Sequence, residues 1–146
     1  MISSLLKRLS QPEDTTPLAD GDARLALTAL LVRLARTDGD YAPAEIDRID
    51  RILAACYAMS PFEAARLRGE AEGLEAEAPD TVRFTRAIKE AVAYEDRLAV
   101  IEAAWSVVLA DGERADQENA LMRMVANLLG VSDIDSHLAR QRAEDG

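Results

Sequence analysis

Two segments of this chain, residues 22–37 and 95–110, are apolar around almost their whole circumference when drawn as helices. Their apolar positions include Leu25, Leu27, Leu30, Leu31, Val32, Leu34, Leu98, Val100, Ile101, Trp105, Val107 and Val108. A helix that is apolar on every side has to be buried. No window alternates apolar and polar residues with a period of two, which argues against a sheet. The predicted fold class is therefore all-α, with these two helices at the centre.

Five further helices are predicted from apolar spacing and capping signals. They span about residues 43–58, 60–75, 81–93, 116–129 and a final stretch capped by Ser132. Ser60 and Glu63 form a capping box, in which each side chain bonds the other residue's free backbone amide. Pro43 suits a first helical position, and Gly130 a helix end. About seven helices result.

For the helix predicted at 81–93, the sequence also predicts the cap and the side chains that face inward. Asp80 is predicted to cap it. The side chains expected to face inward are Val82, Ile88, Ala91 and Val92.

The chain divides into a short N-terminal part, residues 1–20, and a helical domain, residues 21–146. Within the first part, Ile2, Leu5, Leu6 and Leu9 recur at helical spacing, with basic residues on the other side. So short an amphipathic helix binds membranes weakly by itself. Packing on the domain or contact with a protein partner is favoured, and peripheral association with a membrane stays open.

Charge and cysteine content exclude several function classes. The formal charge of −10 repels phosphate backbones and disfavours nucleic-acid binding, whereas it attracts cations or a basic partner. Cys56 is the only cysteine and lies in an apolar run, so it is predicted to be a small core residue. His137, the only histidine, lies in a polar stretch far from any nucleophile. Neither a zinc site nor a nucleophile–base pair is indicated, and the chain is predicted not to be an enzyme.

Targeting signals do not stand out in the sequence. The N-terminus lacks the long apolar core of a secretory signal, and no apolar run is long enough to span a membrane. The cytoplasm is the predicted location.

The same acidic pattern follows both central segments. TDGDYAPAEI at 37–46 aligns with ADGERADQEN at 110–119 after a shift of 73 residues. The aligned residues are Asp38 with Asp111, Gly39 with Gly112, Asp40 with Glu113, and Glu45 with Glu118. Each half therefore has the form of a buried helix, an Asp-Gly turn and an amphipathic helix. A duplicated hairpin arranged about a pseudo-twofold is predicted.

Helix chemistry explains part of this pattern. The glycine of each turn suits the left-handed conformation that follows a helix. Glu45 and Glu118 fall at the third position of the next helix, where a carboxylate can accept a bond from a free amide. Ala42 and Ala115 occupy the positions where a Ser or Thr would complete the capping box. Each box is therefore predicted to be half built.

The aspartates of the turns are harder to explain by helix chemistry. Asp38 and Asp111 stand at helix C-termini, where a carboxylate costs about 0.3–1 kcal/mol. A local Asx-type bond or a bound cation can offset that cost. Carboxylates and backbone carbonyls suit a hard ion such as Ca²⁺ or Mg²⁺, although the spacing is not that of an EF-hand. The candidate metal ligands are Asp38, Asp40, Glu45, Asp111, Glu113 and Glu118.

The two copies, ARTDGDYAPAEIDRIDRIL and VLADGERADQENALMRMVANLLG, resemble the TerB-like family of tellurite-resistance-associated proteins over about residues 22–130. The resemblance implies an all-helical fold with internal duplication and a role in tellurite and other stress responses, often near the inner membrane. It also implies that the acidic residues, here Asp38, Glu45, Asp111 and Glu118, chelate a metal.

Two functions follow as alternatives. One is a non-enzymatic stress-response domain that binds a divalent cation through its acidic turns. The other is a protein interaction module whose acidic turns are purely structural. Its contact surface would be the N-terminal helix or the small-residue strip of Gly69 and Gly73, which is expected to let a neighbour approach closely.

Overall fold

The computed structural model describes residues 23–37, 41–77, 81–110 and 116–145. Within these ranges the chain forms seven α-helices and no strand. The helices are α1 (Ala23–Arg36), α2 (Pro43–Tyr57), α3 (Pro61–Glu77), α4 (Val82–Ala91), α5 (Tyr94–Val108), α6 (Asp116–Leu128) and α7 (Asp133–Asp145). The predicted all-α class is confirmed.

The two most apolar helices lie at the centre of the bundle, as predicted. Helix α1 packs against α2, α3, α4, α5 and α6, while α5 packs against α1, α2, α6 and α7. Both helices therefore need apolar side chains on several faces. Their completely buried side chains include Leu30, Leu31, Val32, Leu34, Ile101, Val107 and Val108. None of the helices in the described residues has both the length and the apolar character that crossing a bilayer requires.

Local capping chemistry places three helix ends where the sequence predicts them. At the start of α3, the Ser60 amide donates to Glu63 Oε1 at 2.9 Å and the Glu63 amide donates to Ser60 Oγ at 3.1 Å. Ser132 caps α7, because its Oγ accepts the Asp135 amide at 3.1 Å. Gly130, with φ of 73°, ends α6. Such ends depend on neighbouring residues alone, which makes them readable from sequence.

The end of α6 is a Schellman motif. The Gly130 amide donates to the Asn127 carbonyl at 3.0 Å, and the Val131 amide donates to the Ala126 carbonyl at 2.8 Å. An alanine Cβ at position 130 would meet the Arg97 guanidinium at 3.4 Å.

Replacing Gly130 with alanine is expected to lower the free energy of unfolding by about 1–2 kcal/mol, because an L side chain resists a positive φ. Gly130→Asn should cost less, since asparagine tolerates this conformation better. Chemical denaturation of the two variants checks the order. Equal stability of Gly130→Ala and the unsubstituted chain would contradict it.

Helix α4 corrects one expectation about side-chain direction. Its buried residues are Phe84, Thr85, Ala87 and Ile88, whereas Val82 is 38% exposed. Val82 stands two residues before Phe84, which turns the two side chains about 200° apart on a helix. The prediction that Val82 faces inward is therefore wrong. Asp80, the predicted cap, lies outside the described residues.

Two small-residue expectations also change. Cys56 is half-buried rather than a core residue, because it lines a groove at the surface. Gly69 and Gly73 are exposed, and no described atom lies within 4 Å of a Cβ added at either position. The close neighbour predicted for this strip is therefore not found among the described residues.

The duplicated hairpin and the N-terminal part stay predictions. Helices α1 and α2, and likewise α5 and α6, occupy the two segments that the repeat predicts and pack against each other within each pair. Their relation by a pseudo-twofold is untested. Residues 1–20 lie outside the described residues, as does the boundary between the two parts.

Candidate functional site

The structure places only part of the predicted acidic site. Asp38, Asp40, Asp111 and Glu113 lie outside the described residues. Glu118 belongs to the first turn of α6, but its side chain is also outside the described part of the chain. Of the six candidate ligands, Glu45 alone has a described side chain.

Glu45 lies in the first turn of α2, and its side chain is completely buried. Its Oε1 accepts a hydrogen bond from the Ala42 amide at 3.0 Å. Ala42 has extended backbone and contributes no side-chain cap, so the Glu45 amide donates to the Ala42 carbonyl instead, at 3.0 Å. The half-built capping box that the sequence predicts is confirmed for this turn.

Glu63 makes the same cap in a different environment. It follows Pro61 by two residues, as Glu45 follows Pro43, and its Oε1 accepts the Ser60 amide at 2.9 Å. Glu63 is exposed, and this backbone hydrogen bond lowers the pKa of its carboxyl group. Capping an α-helix therefore does not require burial of the glutamate. Burial of a carboxylate is costly, and Glu45 has a further contact within the chain besides its cap.

The chain that enters the first acidic turn is tied to α3 by a charge cluster. Arg33 Nε lies 3.1 Å from Glu75 Oε2, and Arg36 Nη1 lies 2.7 Å from Glu75 Oε1. Arg33 also donates through Nη2 to the Glu75 carbonyl at 3.1 Å. Glu75 is only 12% exposed, so these contacts are partly shielded from water. They fix the C-terminal end of α1 directly before residues 38–40.

The chain that leaves the turn is tied to the same helix. Tyr41 donates its hydroxyl to Glu72 Oε2 at 2.8 Å, and the Arg36 guanidinium lies 5.0 Å from the centre of the Tyr41 ring. Burial, followed by the Glu72 carboxylate, raises the pKa of Tyr41. Arg68 then joins Glu72 at 2.8 Å to Asp50 of α2 at 2.6 Å. Both flanks of the first turn are held by α3.

Sequence reasoning missed this cluster. Arg68 and Glu72 stand four residues apart on one helix, a spacing at which opposite charges meet. That signal could have been read. The contacts of Glu75 with Arg33 and of Tyr41 with Glu72 join residues far apart in the chain, and no local pattern indicates them.

The second turn begins near α2. Ala110, the last described residue before that turn, lines a surface cavity together with Arg48 of α2. The remaining lining residues are Ser106, Leu109, Ala143 and Glu144. Arg48 stands three residues after Glu45, on the neighbouring turn of the same helix. Helix α2, which follows the first acidic turn, therefore passes close to the start of the second acidic turn.

The described residues hold no group of three or more His, Cys, Asp or Glu side chains arranged to bind a metal. Among the predicted ligands, the described side chain is thus a single buried carboxylate, that of Glu45.

The chain was compared with protein families, curated proteins and solved structures. The family model for tellurite resistance protein TerB matches residues 24–141. Neither the curated proteins nor the solved structures gave a significant match. The family match covers all seven described helices at least in part.

Proposed function

Since this chain belongs to the TerB family of tellurite-resistance proteins, we propose that it is a non-enzymatic stress-response domain of the cytoplasm that binds a divalent cation. The ion would be Ca²⁺ or Mg²⁺, which take carboxylate and carbonyl oxygens. The proposed ligands are Asp38, Asp40, Glu45, Asp111, Glu113 and Glu118.

The observation that carries this proposal is the burial of Glu45. Glu45 and Glu63 cap their helices through the same oxygen and at nearly the same distance, yet only Glu45 is buried. A buried charge is tolerated when it meets an opposite charge or a metal ion. Glu45 stands five residues after Asp40, at the exit of an acidic turn. Glu45 also has a contact within the chain, so the proposal depends on where its carboxylate lies, at the exit of the acidic turn, and not on the lack of a partner.

The surroundings of the turn support preorganisation. Glu75 holds the entering chain and Glu72 holds the leaving chain, so binding would order few residues. Because Arg48 of α2 and Ala110, which follows α5, line one cavity, the second turn starts close to α2. This placement favours one shared cation site over two distant ones.

Isothermal titration with Mg²⁺ and with Ca²⁺ tests the proposal. Glu45→Gln is expected to weaken binding about 10- to 100-fold, because it removes the charge but keeps the shape. Glu63→Gln is the matched control and should bind like the unsubstituted chain. Equal affinity of the two variants, or the absence of binding by the unsubstituted chain, would contradict cation binding.

Stoichiometry distinguishes one site from two. With a shared site, one ion binds per chain, and either Asp38→Asn or Asp111→Asn weakens that single event. With separate sites, two ions bind and each substitution removes one of them. Two independent binding events would support cation binding by the chain but contradict a single shared site.

The interaction module remains the second candidate, favoured by the exposed strip of Gly69 and Gly73 on α3. Gly69→Ala and Gly73→Ala are each expected to raise the free energy of unfolding by about 0.5–1 kcal/mol, because exposed helical glycine is unfavourable and the space is open. If the strip binds a partner, the stabilised variants should lose that partner, while Glu45→Gln should retain it. A partner bound equally by all three variants would reject the strip as a contact surface.

A further inference from the structure

A narrow apolar groove opens at the end of the bundle where α1 begins. Its volume is about 130 Å³. The groove lies between the start of α1, the end of α2, the end of α4 and the start of α5. Its lining residues are Ala23, Leu27, Ile52, Cys56, Tyr57, Ile88, Val92, Asp96, Ala99, Val100 and Ala103. Apart from Asp96, every one of these side chains is apolar, aromatic or a thiol. Apolar cavities of about 150 Å³ accept a benzene ring, so this groove has room for about one large aliphatic side chain.

The position of Ala23 points to an occupant from the same chain. Ala23 is the first described residue, and it lines the groove. The preceding segment, residues 2–9, has Ile2, Leu5, Leu6 and Leu9 at helical spacing. Residues 10–22 connect the two and can span about 20 Å as a random coil, or up to about 43 Å when extended. The segment can therefore reach the groove without strain.

Charge also favours this occupant. Residues 2–9 contain Lys7 and Arg8 and no acidic side chain, while the chain as a whole carries −10. The charged residue on the groove lining is Asp96. An amphipathic helix that places leucines in the groove would have its basic side directed outward, and Asp96 would be the charged lining residue that its lysine and arginine could meet.

We propose that residues 2–9 dock as an amphipathic helix in this groove, with Leu5 or Leu6 as the anchor, and thereby cover Cys56. Docking of this kind is independent of cation binding, because the groove contains none of the proposed metal ligands.

Cys56 provides a direct test, because it is the only cysteine of the chain and lines the groove. Burial raises the pKa of its thiol, which slows its reaction at a given pH. The rate of modification by Ellman's reagent should rise at least about tenfold in Leu5→Asp/Leu6→Asp and after deletion of residues 2–9. The control Ser3→Asp/Ser4→Asp makes the same change in charge away from the apolar side and should react like the unsubstituted chain.

Two further measurements exclude unfolding and other occupants. Circular dichroism should show unchanged helix content in all variants, and a synthetic peptide of residues 1–12 should restore protection to the deleted chain. In the unsubstituted background, Leu5→Cys should form an intramolecular disulfide with Cys56 under oxidising conditions. Equal Cys56 reactivity in every variant would overturn the proposal. Protection that depends on protein concentration would assign the groove to a second copy and would equally overturn docking within one chain.

Discussion

Replacing Leu30 with alanine is expected to lower the free energy of unfolding by about 3–5 kcal/mol. Leu30 is completely buried in α1, the helix that packs against five others. Removing its branched end loses the transfer free energy of three carbons and leaves a cavity that packed helices on several sides cannot fill. Because domains of this size are stable by about 5–15 kcal/mol, the loss is a large share of the total.

Urea denaturation monitored by circular dichroism measures this effect as a fall in the midpoint at an unchanged slope. Leu25→Ala is the control on the same helix, since Leu25 is only partly buried. It should cost about 1–2 kcal/mol. If the two substitutions cost the same, the central position of α1 is contradicted.

Removal of the Glu75 side chain is expected to have the second-largest effect. Glu75→Ala should lower the free energy of unfolding by about 2–3 kcal/mol, because two guanidinium groups lose the carboxylate that lies 3.1 and 2.7 Å away. Exposed ion pairs contribute about 0–1 kcal/mol. The expected effect is larger here because Glu75 is 12% exposed and Arg33 is 16% exposed. The 37% exposure of Arg36 keeps the figure below that of a fully buried pair.

Glu70 supplies the matched control on the same helix. It is 60% exposed and lies 4.0 Å from Arg66, so Glu70→Ala should change stability by less than about 0.5 kcal/mol. Thermal denaturation at low and at high salt distinguishes the two variants further. Salt screens a partly buried cluster only weakly, so the stability loss of Glu75→Ala should change little with salt concentration. A Glu75→Ala variant as stable as Glu70→Ala would show that the cluster does not hold the end of α1.

The fold was largely predictable because its determinants are local or periodic. The all-round apolar character of α1 and α5 predicts their central place, and the Ser60–Glu63 box predicts the start of α3. In α4 and at its C-cap, Ile88 and Val92 are buried as predicted, whereas the prediction for Val82 is wrong. Phe84, Ala87, Ile88 and Ala91 recur at helical spacing, so the sequence of α4 itself favours Phe84 over Val82 as the buried residue.

The candidate site was predictable only as a pattern. The repeated Asp-Gly turn indicates six acidic residues, and the structure confirms the half-built cap at Glu45. The burial of that carboxylate could not be read from sequence, since Glu63 has the same cap and the same preceding proline yet lies at the surface. Burial is set by packing across the bundle. The cluster around Glu75 joins residues distant in the chain for the same reason.

The central place of α1 also has a consequence for biosynthesis. This helix is synthesised before α4 and α5, which cover two of its sides. At 5–20 residues per second, the interval between completing α1 and completing α5 is about 4–14 s. During that time the most apolar stretch of the nascent chain lacks part of its eventual cover. We expect chaperones that bind exposed apolar segments to hold ribosome-bound chains that stop before α5, and to release chains that extend beyond it.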